Sequence, residues 1–205
     1  MCDMDCLDSL IGRYPALECC REDIAAAFDA LKVSYSGGGK LLVAGNGGSA
    51  SDAEHIVGEL MKSFVRPRPL SAEFKAALAD PVLADGLQAG LPAIALTSHP
   101  ALSTAFLNDC DPLLCFAQQL SVLGAPGDVF LGITTSGNSR NVLYAARTAR
   151  AKGMKVIGLT GKTGGALAQL ADICIRVPET ETYRIQEYHL PVYHALCMML
   201  EEYFF

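Results

Sequence analysis

The stretch at residues 39–60 constrains the fold of this chain more than any other. A short apolar run at 40–44 ends in Gly-Asn-Gly-Gly-Ser at 45–49, and a helical pattern follows at once. This is the order of a β-strand, a tight turn and a helix start. The adjacent glycines can adopt backbone angles closed to other residues and leave room for a ligand. We therefore predict a ligand-holding loop, with Ser49 capping the helix and free amide groups suited to an anion or a sugar hydroxyl.

A second loop of the same kind follows a later strand. The apolar run at 128–133 leads directly into Thr-Thr-Ser-Gly-Asn-Ser at 134–139, and a further helical pattern comes next. Hydroxyl groups and the amides of a helix start would converge there, which suits a phosphate dianion. The loop matches neither a Walker motif nor a dinucleotide-binding motif, so the phosphate would be held without a lysine. The alternative is an ordinary serine-rich turn.

Three further apolar runs complete the pattern of strands. They lie at 92–97, 155–160 and 173–177, with helical patterns between them. Strands that alternate with helices on this spacing predict an α/β fold, a doubly wound parallel sheet with helices on both faces. Ligands on such sheets bind at the carboxyl ends of the strands, where both loops lie.

The remaining segments fit around one domain at 39–205. Residues 1–38 form a predicted helical arm, broken near Pro15. The stretch at 66–92 is predicted to be a surface excursion, with a helix over 72–83 interrupted by proline and glycine. Helices predicted at 100–107 and 112–123 leave Asn108 and Asp109 in a loop, where simple helix capping is the alternative to a binding role.

The helix after the first loop has two different faces. A buried stripe with spacings of three and four residues is formed by Ala53, Val57, Leu60 and Phe64. His55 and Glu59 project from a roughly opposite face, one turn apart, where they could share a proton or a metal ion. An exposed ion pair is the alternative that spacing alone favours.

The last segment, from residue 183 onward, is predicted to be mostly helical. Pro191 should disturb this helix because it removes one backbone donor, and the aromatic end at 202–205 is expected to be covered. His189 and His194 could each be buried core histidines. Gln186 and His194 are about 12 Å apart along a straight helix, so a shared metal ion would need Gln186 near the helix start or a bend at Pro191.

Composition excludes several classes of partner. The formal charge is −6 and the pI is near 5.2, without a cluster of basic residues, which argues against binding to nucleic acid or to an anionic membrane. No apolar run is long enough to span a bilayer, and the N-terminus does not resemble a secretion signal. We expect a cytoplasmic protein. The eight cysteines contain no C-x-x-C pair, so we expect mostly reduced thiols without a catalytic role.

Taken in order, the motifs resemble the sugar isomerase (SIS) domain superfamily and, within it, the phosphoheptose isomerase family. These motifs are GNGGSA at 45–50, H-x-x-x-E at 55–59, ND at 108–109, TSGNS at 135–139 and R-I-Q-E-x-H-x(4)-H at 184–194. The resemblance implies conversion of sedoheptulose 7-phosphate to a heptose 7-phosphate, with zinc as cofactor and a homotetramer as the assembly. Ser63 departs from the family pattern, which often has a basic residue there.

Residue by residue, the resemblance implies two overlapping sets. The sugar-phosphate contacts are Asn46, Gly47, Gly48, Glu59, Asn108, Asp109, Thr134, Thr135, Ser136, Ser139 and Gln186. The metal ligands are His55, Glu59, Gln186 and His194, and the catalytic pair is Glu59 and His194.

The residues alone also support this chemistry. Exchanging a ketose and an aldose moves a proton between neighbouring carbons through an enediol, which needs a base, an acid and stabilisation of an oxyanion. Two alternatives keep the fold without the reaction: a protein of the type that associates with the replication initiator DnaA, and a sugar-phosphate sensor. The presence of both Glu59 and His194 favours the enzyme. Because His55 and Glu59 face away from their own buried stripe, we expect a neighbouring subunit to complete the site, with the segment that carries His194 as a candidate.

Overall fold

The computed structural model describes residues 3–205, and the cysteine at position 2 lies outside them. The chain starts with α1 (Asp3–Arg13), a 3-10 helix (Pro15–Cys20) and α2 (Arg21–Ser36). The strands are β1 (Leu41–Ala44), β2 (Ala93–Ala95), β3 (Val129–Thr134), β4 (Lys155–Thr160) and β5 (Ile173–Arg176). The other helices are α3 (Gly48–Met61), α4 (Ala72–Leu78), α5 (Pro81–Gly86), α6 (Pro100–Asp109), a 3-10 helix (Pro112–Leu114), α7 (Cys115–Leu123), α8 (Arg140–Ala151), α9 (Leu167–Leu170) and α10 (Thr182–Phe204).

The five strands form one parallel sheet in the order β2-β1-β3-β4-β5. The α/β prediction and the parallel sheet are confirmed, and each predicted strand lies within two residues of an observed one. After β1, the chain places β2 on one side of β1 and then places β3 on the other side. The crevice between β1 and β3 is therefore the switch point of the topology, where sheets of this kind bind their ligands.

Helices cover both faces of the sheet. Alternate residues of β1 point to opposite faces, so that Leu41 and Val43 join one buried cluster while Leu42 and Ala44 join the other. The first cluster contains apolar side chains of α1, α2, α3 and α10, and the second contains those of α7 and α8. One face of α2 is buried against the sheet through four side chains: Ile24, Phe28, Leu31 and Tyr35.

The excursion at 66–92 differs from the prediction in detail. Two short helices, α4 and α5, replace the single predicted helix, because Ala79 ends α4 in a left-handed conformation (φ 50°) and Pro81 starts α5. Neither helix has a buried residue, so this part lies on the surface as expected. Its Gln88 side chain accepts hydrogen bonds from the Ser63 amide and hydroxyl at 2.8 and 2.9 Å.

Helix α10 runs without interruption through Pro191, contrary to the expected disturbance. Its aromatic end is only partly covered: Phe204 meets the Tyr35 ring at 6.0 Å, whereas Tyr203 and Phe205 remain 49% and 42% exposed. Every cysteine among residues 3–205 is a free thiol. Across the same residues, each helix falls short of the length or the apolar character that a membrane crossing needs.

Candidate active site

The two predicted ligand loops meet at the switch point of the sheet. One follows β1 and the other follows β3, and the two strands are hydrogen-bonded neighbours. Asn46 and Asn141 join the loops through a reciprocal pair of amide hydrogen bonds of 3.0 and 2.8 Å. The sequence analysis missed Asn141, which its position two residues after the hydroxyl-rich loop could have indicated.

The loop at 134–139 forms a compact group of hydroxyls. Thr134 and Ser139 pair through their hydroxyl oxygens at 2.8 Å, and the Asn138 amide donates to the Ser136 hydroxyl at 3.1 Å. Ser139 is the N-cap residue of α8, yet its side chain does not cap a helix amide. Gly137 turns the chain with φ 69°, where an L side chain would be strained. The loop thus presents hydroxyl and amide donors at a helix start.

The glycine loop brings the chain close to α10. Gly47 is the N-cap residue of α3 with φ 56°, so the expected cap at Ser49 is wrong, and Ser49 is instead buried in the first turn. A Cβ atom at position 48 would come within 2.6 Å of the Gln186 side-chain nitrogen. Glycine is therefore required there for Gln186 to lie against the start of α3. Gln186 itself lies inside α10, not before it.

His55, Glu59 and His194 are brought together between α3 and α10. The His55 Nε2 atom lies 3.2 Å from a Glu59 carboxylate oxygen, and the His55 and His194 rings are 5.0 Å apart. The second Glu59 oxygen accepts an ion pair from Lys62 at 2.9 Å. The Glu59 side chain is 12% exposed and the His55 side chain is 41% exposed, so the carboxylate of the pair is largely enclosed while the imidazole reaches solvent. Because this cluster forms within one chain, a second subunit is not needed to bring His194 to Glu59.

The electrostatics of His194 favour a neutral ring. Burial lowers the pKa of His194, nearby His55 lowers it further, and the Glu59 carboxylate opposes the shift. Among residues 3–205, no hydrogen-bond partner reaches the buried His194 Nε2 atom. A neutral imidazole with a free nitrogen can exchange a proton or bind a metal ion.

A tyrosine that was not singled out from the sequence contacts the second ring nitrogen of His55, the one that does not face Glu59. Tyr193 is 1% exposed, its hydroxyl lies 3.0 Å from His55 Nδ1, and it donates to Asp52 at 3.2 Å. Burial, together with the Asp52 charge, raises the pKa of the Tyr193 hydroxyl, which therefore keeps its proton at neutral pH. Asp52 lies three residues before His55 on α3, and this spacing is the signal that could have indicated it.

A buried ion pair holds the end of α3. Arg68 and Glu201 are 0% and 1% exposed and meet at 2.7 Å. Arg68 also donates to the backbone carbonyls of Leu60 and Glu59 at 2.7 and 3.0 Å. The pair therefore ties the backbone of Glu59 to the C-terminal end of α10, although neither residue was singled out from the sequence.

Asn108 and Asp109 lie apart from the other candidate site residues. They are the last residues of α6, not part of a loop as predicted, and both are exposed. The Asn108 amide donates to the Asp109 carboxylate at 2.7 Å. Within residues 3–205, no hydrogen bond joins them to either ligand loop.

The side chains between α3 and α10 have the chemistry of a zinc site. Two imidazoles and a carboxylate are common zinc ligands, and the unpaired His194 Nε2 is a buried nitrogen that such an ion would satisfy. Over the described range, however, no group of three or more His, Cys, Asp or Glu side chains is arranged to hold a metal ion. The Gln186 side chain lies beside Gly48. Gly48 is seven residues, or about 10 Å along α3, before His55, so Gln186 is remote from the other donors. The donor types therefore suit zinc, although their positions among the described residues do not form a metal-binding group.

Comparison with known proteins places this geometry in context. The model of the SIS domain family matches residues 83–161. A phosphoheptose isomerase from Aneurinibacillus thermoaerophilus is 44% identical over 82% of this chain and 75% of that protein. One from Rhodospirillum rubrum is 42% identical over 89% of this chain and 87% of that protein. The solved structure of a phosphoheptose isomerase from Francisella tularensis, 35% identical, covers 95% of this chain and 94% of its own with a TM-score of 0.75.

Proposed function

Because this chain belongs to the phosphoheptose isomerase family of SIS-domain proteins, we propose that it converts sedoheptulose 7-phosphate to a heptose 7-phosphate of the D-glycero-D-manno type. The observation that carries the proposal is the contact of Glu59 and His194 with the same His55 ring beside the two ligand loops. An aldose-ketose isomerase needs a base and an acid within reach of neighbouring carbons. A sensor or a protein-binding relative has no need of this pair.

The roles follow from the chemistry of each side chain. The Glu59 carboxylate takes the proton from the carbon next to the carbonyl and returns it to the neighbouring carbon. His194, held neutral, moves a proton between the hydroxyl and carbonyl oxygens, so that an enediol forms and collapses. Enclosure between α3 and α10 limits the access of water to Glu59, which is 12% exposed.

The phosphate is held by the loop at 134–139, without a lysine. Thr135 and Ser136, together with the Ser139 hydroxyl, donate to its oxygens, and the start of α8 adds favourable dipoles. Asn46, Gly47 and Gly48 contact the sugar, and Gln186 is positioned by its approach to Gly48. Asn108 and Asp109 lie at the end of α6. They contact the sugar only if α6 moves toward the two ligand loops when the substrate binds.

Zinc is the proposed cofactor, held by His55, Glu59, His194 and Gln186. When bound, the ion would polarise the carbonyl and hydroxyl oxygens of the sugar. The chain is proposed to act as a homotetramer, in which a neighbour covers the exposed rings of Tyr203 and Phe205. Light scattering on the purified protein would measure the assembly directly.

The decisive experiment is incubation with sedoheptulose 7-phosphate and detection of the aldose by NMR. Glu59→Gln should lower turnover by about 10²- to 10⁴-fold, the usual contribution of a general base. Glu54→Gln is the matched control, because Glu54 lies on the same helix, is exposed and, among the described residues, accepts a hydrogen bond from Thr97 alone. Wild-type protein that forms no aldose would refute the function, and a Glu59→Gln variant with near wild-type turnover would exclude Glu59 as the base.

A further inference from the structure

The turn at 161–167, which follows β4, packs directly against the loop at 134–139. Because β3 and β4 are hydrogen-bonded neighbours, the two segments leave the sheet side by side. Gly137 and Gly165 have φ angles of 69° and 52°, a region that favours glycine. A Cβ atom on Gly165 would come within 2.5 Å of the Ser136 carbonyl oxygen. The backbones of the two segments are therefore in contact, with no side chain between them at this point.

The carbonyl oxygens of the loop at 134–139 are directed to this turn. The Thr135 carbonyl accepts a hydrogen bond from the Gly161 amide at 3.1 Å. The Gly137 carbonyl accepts one from the Leu167 amide at 2.9 Å. Carbonyl oxygens repel an anion, whereas amide groups attract it. By accepting bonds from the turn, these carbonyls leave the anion site to the donors of the loop.

Asn138 is the side chain that joins the two segments. Its Nδ2 atom donates to the Ser136 carbonyl at 3.0 Å, and its Oδ1 atom accepts from the Ala166 amide at 3.0 Å. Its backbone amide donates to the Ser136 hydroxyl at 3.1 Å, so the hydroxyl proton stays available to a phosphate oxygen. Among residues 3–205, no hydrogen bond uses the backbone amides of Ser136 or Ser139. Asn138 thus orders these donors without being one of the phosphate contacts.

We propose that Asn138 is a positioning residue that clamps the loop at 134–139 against the turn at 161–167 and so holds its donors in place for the phosphate group. The inference rests on the proposed function, in which this loop binds the phosphate of the sugar. Asn138 is exposed, so its carboxamide is not needed to fill the core. Its two side-chain hydrogen bonds therefore order the loop rather than the fold as a whole.

The test uses the full-length protein, with inorganic phosphate as the probe. Asn138→Ala should raise the dissociation constant of phosphate about tenfold in isothermal titration calorimetry, the size expected when one or two neutral hydrogen bonds are lost. With sedoheptulose 7-phosphate, KM should rise by a similar factor while kcat stays within about twofold of wild type, because the phosphate is held equally before and during proton transfer. A residue that only stabilised the fold would change neither the dissociation constant nor KM in the folded variant.

Asp80→Ala is the matched control. Asp80 is also exposed, and its side chain accepts from the Val82 and Leu83 amides at 2.8 and 3.3 Å. This variant loses the same number of side-chain hydrogen bonds, but in the excursion, so its phosphate affinity and KM should equal those of wild type. If Asn138→Ala fails to fold, Asn138→Ser takes its place, since serine suits a turn but its shorter side chain cannot bridge the two segments.

The clamp and the isomerase fail in different ways. A folded Asn138 variant that binds phosphate within about twofold of wild type would overturn the clamp while leaving the isomerase intact. A variant that loses kcat with an unchanged KM would also overturn it, as would wild-type protein that binds no phosphate. Wild-type protein that binds phosphate but does not isomerise the sugar phosphate would overturn the proposed function, and the calorimetry of the variants would still decide the clamp.

Discussion

Replacing Glu201 by glutamine should strongly destabilise this protein. The Glu201 carboxylate accepts from the backbone amides of Phe64 and Val65 at 2.8 Å each and from Arg66 at 3.1 Å. It also meets the buried Arg68 guanidinium at 2.7 Å. The glutamine side chain has one acceptor oxygen for these donors and leaves the Arg68 charge uncompensated.

The magnitude follows from the burial of both partners. Removing one charge of a fully buried pair costs about 3 to 5 kcal/mol, because the remaining charge stays out of water. For a chain of this length such a loss lowers Tm by roughly 6 to 20 °C. Glu18→Gln is the matched control, since Glu18 also pairs with an arginine at 3.0 Å but is 60% exposed, and exposed pairs contribute about 1 kcal/mol or less.

Urea unfolding followed by circular dichroism, at one fixed protein concentration, measures both variants. Burial alone would raise the pKa of Glu201, but the amides of Phe64 and Val65 and the Arg68 charge outweigh it, and the pKa is lowered. Ionised Glu201 therefore contributes its full stabilisation above pH 4.5, the ordinary pKa of this side chain. This contribution is lost as the pH falls below 4.5 and through the lowered pKa of the folded protein. A Glu201→Gln variant within about 1 kcal/mol of wild type at pH 7 would refute the reasoning.

Three other predictions follow from single contacts. Gly48→Ala should change the free energy of unfolding by no more than about 0.5 kcal/mol. It should lower kcat/KM by up to about 100-fold, because the new Cβ displaces the flexible end of Gln186. Steady-state kinetics equal to those of wild type would contradict this prediction. Burial lowers the pKa of His189 to about 4, opposed by the nearby Thr160 backbone. In the described part of the chain, neither ring nitrogen of His189 has a hydrogen-bond partner. Because His189 stays neutral in the folded protein, it should lower the free energy of unfolding by about 3 kcal/mol as the pH falls from 6.5 to about 4. In urea titrations at each pH, wild type should therefore lose about that much more stability than His189→Leu. Co-refolding Glu59→Gln with His194→Ala should restore no activity, since one chain supplies both residues, and recovery in mixed oligomers would show that they are shared.

The sequence by itself determined the local structure and the chemistry at the strand ends. Apolar runs followed by glycine or hydroxyl-rich loops can be interpreted without tertiary contacts, because backbone freedom and helix-start donors are local properties. The parallel sheet followed from the alternation of strands and helices, and the pairing of His55 with Glu59 followed from their spacing of one turn. Each of these features depends on residues that are close along the chain.

Only the tertiary structure decided which distant residues share a site. His194 lies 135 residues after Glu59 in the sequence, and helical periodicity cannot say that α10 packs against α3. The same packing selected Tyr193 as the neighbour of His55 and buried Arg68 against Glu201, pairs that no spacing rule links. It also kept α10 continuous through Pro191, because the buried contacts of a helix outweigh the loss of one backbone hydrogen bond. Long-range packing is a property of the whole core, and for that reason the local pattern did not contain it.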